Sequence, residues 1–82
     1  MPTVLRLNGF RVVIFLPPRE HAPPHVHVQH ATGEAVIMLA TTGRKQSLTS
    51  VTGLRDADVA RAFWIVESHS EYLLERWTEF HG

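Results

Sequence analysis

Residues 3–13 read TVLRLNGFRVV, two runs rich in apolar side chains that are separated by Asn8-Gly9. A type I′ turn needs a positive φ at both of its central residues, and Asn-Gly adopts this conformation readily. The sequence therefore predicts an antiparallel β-hairpin over residues 3–16. Its register pairs Leu7 with Phe10, Arg6 with Arg11, Leu5 with Val12 and Val4 with Val13.

The segments that follow this hairpin predict a loop and a second hairpin. Pro17-Pro18 cannot sit inside a central strand because proline donates no ladder hydrogen bond, so residues 17–24 are interpreted as a loop. Residues 25–40 alternate again and predict a β-hairpin. Residues 41–54 form a polar connection in which residues 46–51 are a candidate fifth strand at the sheet edge.

The hydrophobic period becomes helical near Arg55, and the sequence predicts one long α-helix over residues 55–81 with a bend near residues 68–70. A sheet and a helix that each have one apolar face can bury them against each other. We therefore predict an α+β fold, an antiparallel four-stranded or five-stranded β-meander packed against this C-terminal helix. The predicted apolar stripe of the helix comprises Val59, Phe63, Val66, Leu73, Trp77 and Phe80.

Length and composition predict a single domain over residues 1–82, since 82 residues are too few for a second core. The chain has no cysteine, which excludes disulfides and thiolate zinc ligands. No apolar run approaches the roughly 20 residues that cross a bilayer, and no signal peptide is recognisable. We therefore expect a cytoplasmic protein that does not contact membranes.

The net charge of zero hides an asymmetry between the two parts of the chain. Residues 1–55 carry six basic and two acidic side chains, whereas residues 56–82 carry six acidic and two basic ones. An anionic partner would therefore meet the N-terminal part. The alternative is a solvated acidic helix beside a mildly basic sheet.

The predicted register places Arg6 opposite Arg11, and like charges that face each other across two strands destabilise a sheet. An anion between the two guanidinium groups, such as a phosphate or a carboxylate, would relieve this repulsion. We therefore regard Arg6 and Arg11 as candidate anion-binding residues. Alternatively, both side chains extend into water, or Glu20 or Glu34 pairs with one of them.

The strand after the loop carries His25 and His27 on one face, opposite Val26 and Val28. Two imidazoles at this spacing can bind one divalent metal ion such as zinc, and His21 in the preceding loop is a candidate third ligand. Without a metal, the two histidines could act as general base and general acid. They could also be polar residues that hydrogen-bond to loop carbonyl groups.

Trp64 does not belong to the predicted apolar stripe of the helix. An exposed aromatic side chain at such a position is typical of an interface, so Trp64 is a candidate interface residue and a homo-oligomer is a candidate assembly.

Four segments of the sequence together resemble one small bacterial family, which is catalogued as domain of unknown function 4160. The resemblance covers essentially the whole chain. It implies a small protein partner encoded nearby, as in toxin–antitoxin pairs, and it carries over Arg6, Arg11, His21, His25 and His27 as motif positions without assigned roles. Arg55 departs from the family, which tends to have a helix-capping Ser or Thr there. The four segments are Met1-Pro-Thr-Val-Leu-Arg6, Gly9-Phe-Arg11, Glu20-His-Ala-Pro-Pro-His-Val-His-Val28 and Leu73-Leu-Glu-Arg-Trp77.

These observations lead to three hypotheses on function. The leading one is a bacterial binding module of toxin–antitoxin type that uses Arg6, Arg11, His25 and His27 to contact a protein partner, with RNA or DNA as a candidate second partner. The second is a small phosphodiesterase or ribonuclease in which His25 and His27 are catalytic, with or without a divalent metal. The third is a structural domain whose histidines and prolines only shape one loop.

Overall fold

The computed structural model describes residues 2–82, and it consists of a five-stranded antiparallel sheet followed by two helices. The α+β class is confirmed. The sheet has five strands, because Ser47–Thr52, which overlaps the candidate edge strand over residues 46–51, pairs with the fourth strand. The elements are β1 (Thr3–Leu7), β2 (Phe10–Val13), β3 (His25–His30), β4 (Gly33–Met38), β5 (Ser47–Thr52), α1 (Asp56–Ser68) and α2 (Ser70–His81).

The strands lie in the order β1-β2-β3-β4-β5, so each strand pairs with the strands adjacent to it in sequence. Asn8 and Gly9 both have positive φ values, 50° and 83°, as the predicted turn requires. The first hairpin has the predicted register except at its open end, where Thr3 instead of Val4 pairs with Val13. A bulge lies between Thr3 and Leu5, and it allows Val4 to enter the core.

The second strand is shorter than predicted, because regular pairing ends at Val13 instead of residue 16. Ile14 continues into the core, and its backbone N–H donates to the carbonyl of Pro2. Phe15 lies against the ring of His27, with the two ring centroids 4.6 Å apart. The chain therefore leaves the ladder at this point and begins to cross the sheet face that carries the histidines.

The predicted single helix is two helices, α1 and α2, which meet at His69. The His69 ring donates from Nδ1 to the carbonyl of Ile65, 2.9 Å away, and serines flank it on both sides. Because serine competes with the backbone for hydrogen bonds, this tripeptide is a poor helix interior. The expected bend near residues 68–70 is thus a break between two helices.

The buried face of α1 agrees with the predicted stripe only in part. Val66 is fully buried as predicted and Phe63 packs against the core, but Val59 and Phe63 are only half-buried, whereas Ala62 and Ile65 are buried. Ala62 belongs to the buried core, and its small side chain allows a close approach of the helix to the sheet. In α2 the predicted core residues Leu73 and Trp77 are buried.

Arg55 precedes α1 as its N-cap residue, although it forms no side-chain capping hydrogen bond. Its Nε donates instead to Oδ2 of the buried Asp58, at 3.3 Å. Negative charge is favourable near a helix N-terminus, so α1 begins here without the Ser or Thr that the family resemblance implies.

In the described part of the chain, no helix is both long and apolar enough to cross a membrane.

Tyr72 connects α2 to the first strand, because its hydroxyl donates to the carbonyl of Val4 at 2.9 Å. We expect Tyr72→Phe to lower the free energy of unfolding by about 1 kcal/mol, since the Val4 carbonyl loses its hydrogen-bond donor. Urea denaturation followed by circular dichroism measures this change. The control is Thr78→Val, which removes only a local hydrogen bond to Leu74 on an exposed helix face and should change stability by less than about 0.5 kcal/mol. Equal losses in the two variants would contradict the prediction.

Candidate functional site

A row of polar side chains crosses the sheet on the face opposite the buried core. Arg6, Arg11, Gln29 and Glu34 are successive cross-strand partners on β1 to β4. The predicted pairing of the two arginines is therefore confirmed, and the two polar strand faces adjoin. Their proposed role in binding an anion stays a prediction.

Hydrogen bonds link three members of this row. Arg11 donates from a terminal guanidinium nitrogen to Gln29 Oε1 at 2.8 Å, and Gln29 Nε2 donates to Glu34 Oε1 at 3.0 Å. Glu34 thus reaches Arg11 only through an amide, while the Arg6 side chain is exposed. The two arginines line a cavity of about 340 Å³ at the hairpin end of the sheet.

The loop between β2 and β3 places a carboxylate beside the histidines of β3. Arg19 lies over the ring of Phe15, with its guanidinium carbon 4.2 Å from the ring centroid. Glu20 then points to the sheet, where Oε1 lies 2.5 Å from His27 Nε2 and Oε2 lies 3.1 Å from His25 Nε2. All three side chains are mostly buried, with 12–20% of each side chain exposed. We call Glu20, His25 and His27 the Glu-His-His cluster.

The Nδ1 atom of each histidine, which does not contact Glu20, forms a hydrogen bond to another oxygen atom. His25 Nδ1 lies 2.9 Å from the carbonyl oxygen of Pro23, and His27 Nδ1 lies 3.1 Å from Glu34 Oε2. A carbonyl or carboxylate oxygen can only accept, so Nδ1 is the donor in both rings. In a neutral imidazole Nε2 then carries the lone pair.

The Nε2 atoms of both histidines consequently face the same carboxylate. A nitrogen lone pair that faces a negatively charged carboxylate is repelled by it unless a cation lies between them. Either a proton on each histidine or a metal ion bound by all three side chains satisfies this requirement. The three ligand atoms lie within 4.8 Å of one another, which is compatible with a shared ion.

The two carboxyl groups around His27 have lowered pKa values. Burial raises the pKa of Glu20, but hydrogen bonds from His27 and His25 outweigh this effect and hold it below its usual value. Burial likewise raises the pKa of Glu34, and the opposing hydrogen bonds from Gln29 and His27 bring it below its usual value. Both groups are therefore ionised at neutral pH.

The structure places His21 outside this cluster, in contrast to its expected position as the third ligand beside His25 and His27. His21 is exposed and lines a cleft of about 430 Å³ between the loop and the end of α2. Glu20 lies on the wall of the same cleft, so the cleft leads to the cluster. Trp77 closes the other side, where its ring lies 5.1 Å from that of His25.

Sequence reasoning considered Glu20 and Glu34 only as partners of the arginines, and it missed their contacts with the histidines for different reasons. Glu34 faces Gln29 across the second hairpin and is therefore a diagonal neighbour of His27, a contact that the hairpin register could have indicated. Glu20 reaches the histidines only because the loop folds back over the sheet. No periodicity or turn signal in residues 14–24 predicts this path.

Trp64 is 59% exposed and lies on α1 beside a small cavity that Asn8, Phe10 and Arg61 also line. This exposure agrees with its position outside the apolar stripe. Its role in an interface stays a prediction.

The lowered pKa values predict that acid destabilises the protein. Their contribution to stability is present above the pKa of an unfolded glutamate, about 4.3, and is lost as the pH falls through the lower folded values. We expect the free energy of unfolding in metal-free buffer to fall more steeply below about pH 5 in the wild type than in Glu20→Gln. Urea denaturation at a series of pH values tests this. The exposed helical residue Glu67 provides the control, and Glu67→Gln should retain the wild-type slope. Equal slopes for Glu20→Gln and the wild type would contradict the assignment.

Comparison with known proteins gives one finding. The family model described as "Domain of unknown function (DUF4160)" matches residues 9–78, a range that includes the whole Glu-His-His cluster, Arg11 and Glu34. Neither the curated proteins nor the solved structures contain a match to this chain. Since the family model covers most of the 82 residues, this chain belongs to the DUF4160 family.

Proposed function

We propose that this domain binds a divalent transition-metal ion through the Glu-His-His cluster and uses it to hydrolyse phosphodiester bonds. One observation supports the proposal above the others. Both histidines have Nδ1 held by an oxygen atom, and both direct Nε2 at the carboxylate of Glu20. Metal-binding histidines typically donate their second N–H to a carboxylate or a carbonyl group in this way.

The spacing of the ligand atoms supports a metal of the size of zinc. Bonds from zinc to histidine nitrogen and carboxylate oxygen are about 2.0–2.2 Å long, so ligand atoms of a tetrahedral site lie about 3.3 Å apart. The two oxygens of Glu20 lie 3.1 Å from His25 Nε2 and 2.5 Å from His27 Nε2, and the three ligand atoms lie within 4.8 Å of one another, so small movements would bring them to this spacing. Imidazole ligands favour zinc, copper, iron or nickel over magnesium.

Three protein ligands leave at least one coordination position for water or substrate. A divalent ion held by Glu20, His25 and His27 would lower the pKa of its water and so supply a nucleophile at neutral pH. In the hydrolysis that we propose, the water oxygen bonds to phosphorus and the bond to the leaving ester oxygen breaks. The proton released by the water is transferred to that leaving oxygen, so the products are a phosphomonoester and an alcohol.

The arginine pair favours an anionic substrate. Arg11 is two residues along the sheet and one strand across from His27, a separation of about 8 Å between Cα atoms at the usual strand rise and spacing. A long guanidinium side chain at that distance can reach a phosphate group next to the cluster. Arg6 extends the same positive region to the sheet edge, and forked donors suit phosphate oxygens.

A metal-free mechanism is the second candidate for the same site. His27 lies between the carboxylates of Glu20 and Glu34, and only the imidazolium form can donate to both. A charged His27 could then serve as general acid toward a leaving oxygen. In the hypothesis of a structural domain, the same contacts would only hold the loop between β2 and β3 on the sheet.

The hypothesis of a partner-binding module of toxin–antitoxin type also stays a prediction.

Metal titration distinguishes these alternatives. We expect isothermal titration calorimetry to show one Zn²⁺ ion per chain, and His27→Ala to weaken binding by more than about 100-fold because a direct ligand is lost. Glu34→Gln should weaken binding by about 10- to 100-fold, since Glu34 orients His27 without touching the ion. His21→Ala should bind zinc like the wild type. A loss in His21→Ala equal to that in His27→Ala, or no zinc binding by the wild type, would overturn the proposed ligand set.

Hydrolysis of bis(p-nitrophenyl) phosphate and of a single-stranded RNA oligonucleotide tests the reaction. With Zn²⁺ or Mn²⁺ present, we expect activity that His25→Ala and His27→Ala abolish. Arg11→Gln should raise the KM for RNA by about tenfold, the value of one charged hydrogen bond, and leave kcat nearly unchanged. The control is Arg44→Gln, which removes a positive charge from the connection before β5. Activity that survives both histidine substitutions would exclude this site as the catalytic centre.

A further inference from the structure

A third arginine, Arg19, lies near the Glu-His-His cluster, and the proposed hydrolysis does not use it. Its guanidinium group lies over the ring of Phe15, and the Phe15 ring in turn contacts the ring of His27. The Arg19 side chain is exposed, and it forms no ion pair within residues 2–82. Stacking on a ring fixes the guanidinium plane and leaves its N–H donors free for another group.

Arg11 and Arg19 lie on opposite sides of the cluster along one segment of the chain. Val13 is the strand partner of His27. Arg11 precedes Val13 by two residues, and Phe15, which supports the Arg19 guanidinium group, follows Val13 by two residues. The two guanidinium groups therefore flank the position at which the cluster would hold a phosphodiester bond.

Arg6, Arg11 and Arg19, which we call the arginine track, are not neutralised by carboxylates. Glu20 and Glu34 are the only acidic residues in the sequence before α1. Both form hydrogen bonds with histidines, and neither pairs with an arginine of the track. The track therefore presents three positive charges to an anion that lies on this face of the sheet.

The length of the track corresponds to several phosphate groups. Arg11 and Phe15 are four residues apart, which is about 13 Å in an extended chain. Successive phosphates of a stacked nucleic acid strand advance by about 3.4 Å, so this stretch corresponds to about four nucleotides. Arg6 extends the track by one strand, to the sheet edge. A small phosphodiester would occupy only the position at the cluster, whereas a polynucleotide would contact the whole track.

The recessed position of the cluster favours a single strand over a duplex. The side chains of Glu20, His25 and His27 are only 12–20% exposed, because the loop that carries Glu20 folds over the sheet. A flexible single strand can bend and bring one phosphate group to such a site. The phosphates of a duplex are held on a stiff rod, which bends only at a considerable cost in free energy.

We propose that the arginine track binds the backbone of single-stranded nucleic acid, with one phosphodiester bond at the Glu-His-His cluster and neighbouring phosphates at Arg11 and Arg19. The inference rests on the proposed function for the reaction at the cluster, but binding of the strand by the track does not require a metal. The contacts are with phosphate groups, so affinity does not depend on the base sequence. The arginines hold the substrate and take no part in the cleavage of the bond.

Fluorescence anisotropy in the presence of a chelator measures this binding without hydrolysis, and the probe is a labelled DNA strand of twelve thymidines. We expect log Kd to rise with the logarithm of the salt concentration with a slope of about 2, since three phosphate contacts each contribute about 0.7. Arg19→Gln and Arg6→Gln should each lower the slope by about 0.7 and weaken binding by about tenfold at low salt. The control is Arg61→Gln, which removes the same charge from an exposed position on α1 and should keep the wild-type slope.

Three results would overturn the proposal: no binding of the probe by the wild type, a wild-type slope in Arg19→Gln, or equal or tighter binding of the duplex that the probe forms with twelve adenosines. Circular dichroism checks that each variant is folded. Hydrolysis of bis(p-nitrophenyl) phosphate by the wild type separates this inference from the proposed function. Probe binding with the expected slopes but without hydrolysis supports the track and contradicts the reaction, whereas hydrolysis without probe binding supports the reaction and overturns the track.

Discussion

The alternation of side chains along β3 is the constraint on which the rest of the structure depends. Val26 and Val28 are fully buried against the helices, so the residues between them must point to the other face. A shift of one residue in register would bury His25 and His27 in the apolar core and expose the valines. The free-energy cost of that exchange holds β3 in place, and the position of the histidines follows from it.

The polar contacts on that face form a continuous chain rather than separate pairs. Hydrogen bonds run from Glu20 through His27 to Glu34, and from there through Gln29 to Arg11. Each carboxylate in the chain meets two donor side chains when both His25 and His27 are charged, which explains why the pKa values of both glutamates are lowered despite burial. The protonation state of His27, or a metal ion in place of its proton, therefore affects the charge balance of the whole face.

The two edges of the sheet differ in charge and in how far the helices cover them. The β1 edge carries Arg6, and Tyr72 of α2 donates to its backbone at Val4. The β5 edge is uncharged, exposed along its whole length and only partly covered by helix. Arg6 and Arg11 thus lie on one face of the sheet near β1, and Arg44 and Lys45 precede β5, while most of the acidic residues lie on the helices.

Local sequence determined the hairpin turn at Asn8-Gly9, the opposed pair Arg6 and Arg11, and the common face of His25 and His27. It could do so because a two-residue turn and a period of two are properties of neighbouring residues. The rotation of α1 and the incomplete covering of β5 depend on contacts between distant segments, so propensity alone did not predict them. Only the tertiary structure brought Glu20 to the histidines. The loop that carries Glu20 has no regular hydrogen-bonding period, and its path is set by the packing of Phe15 and by the histidines that it meets.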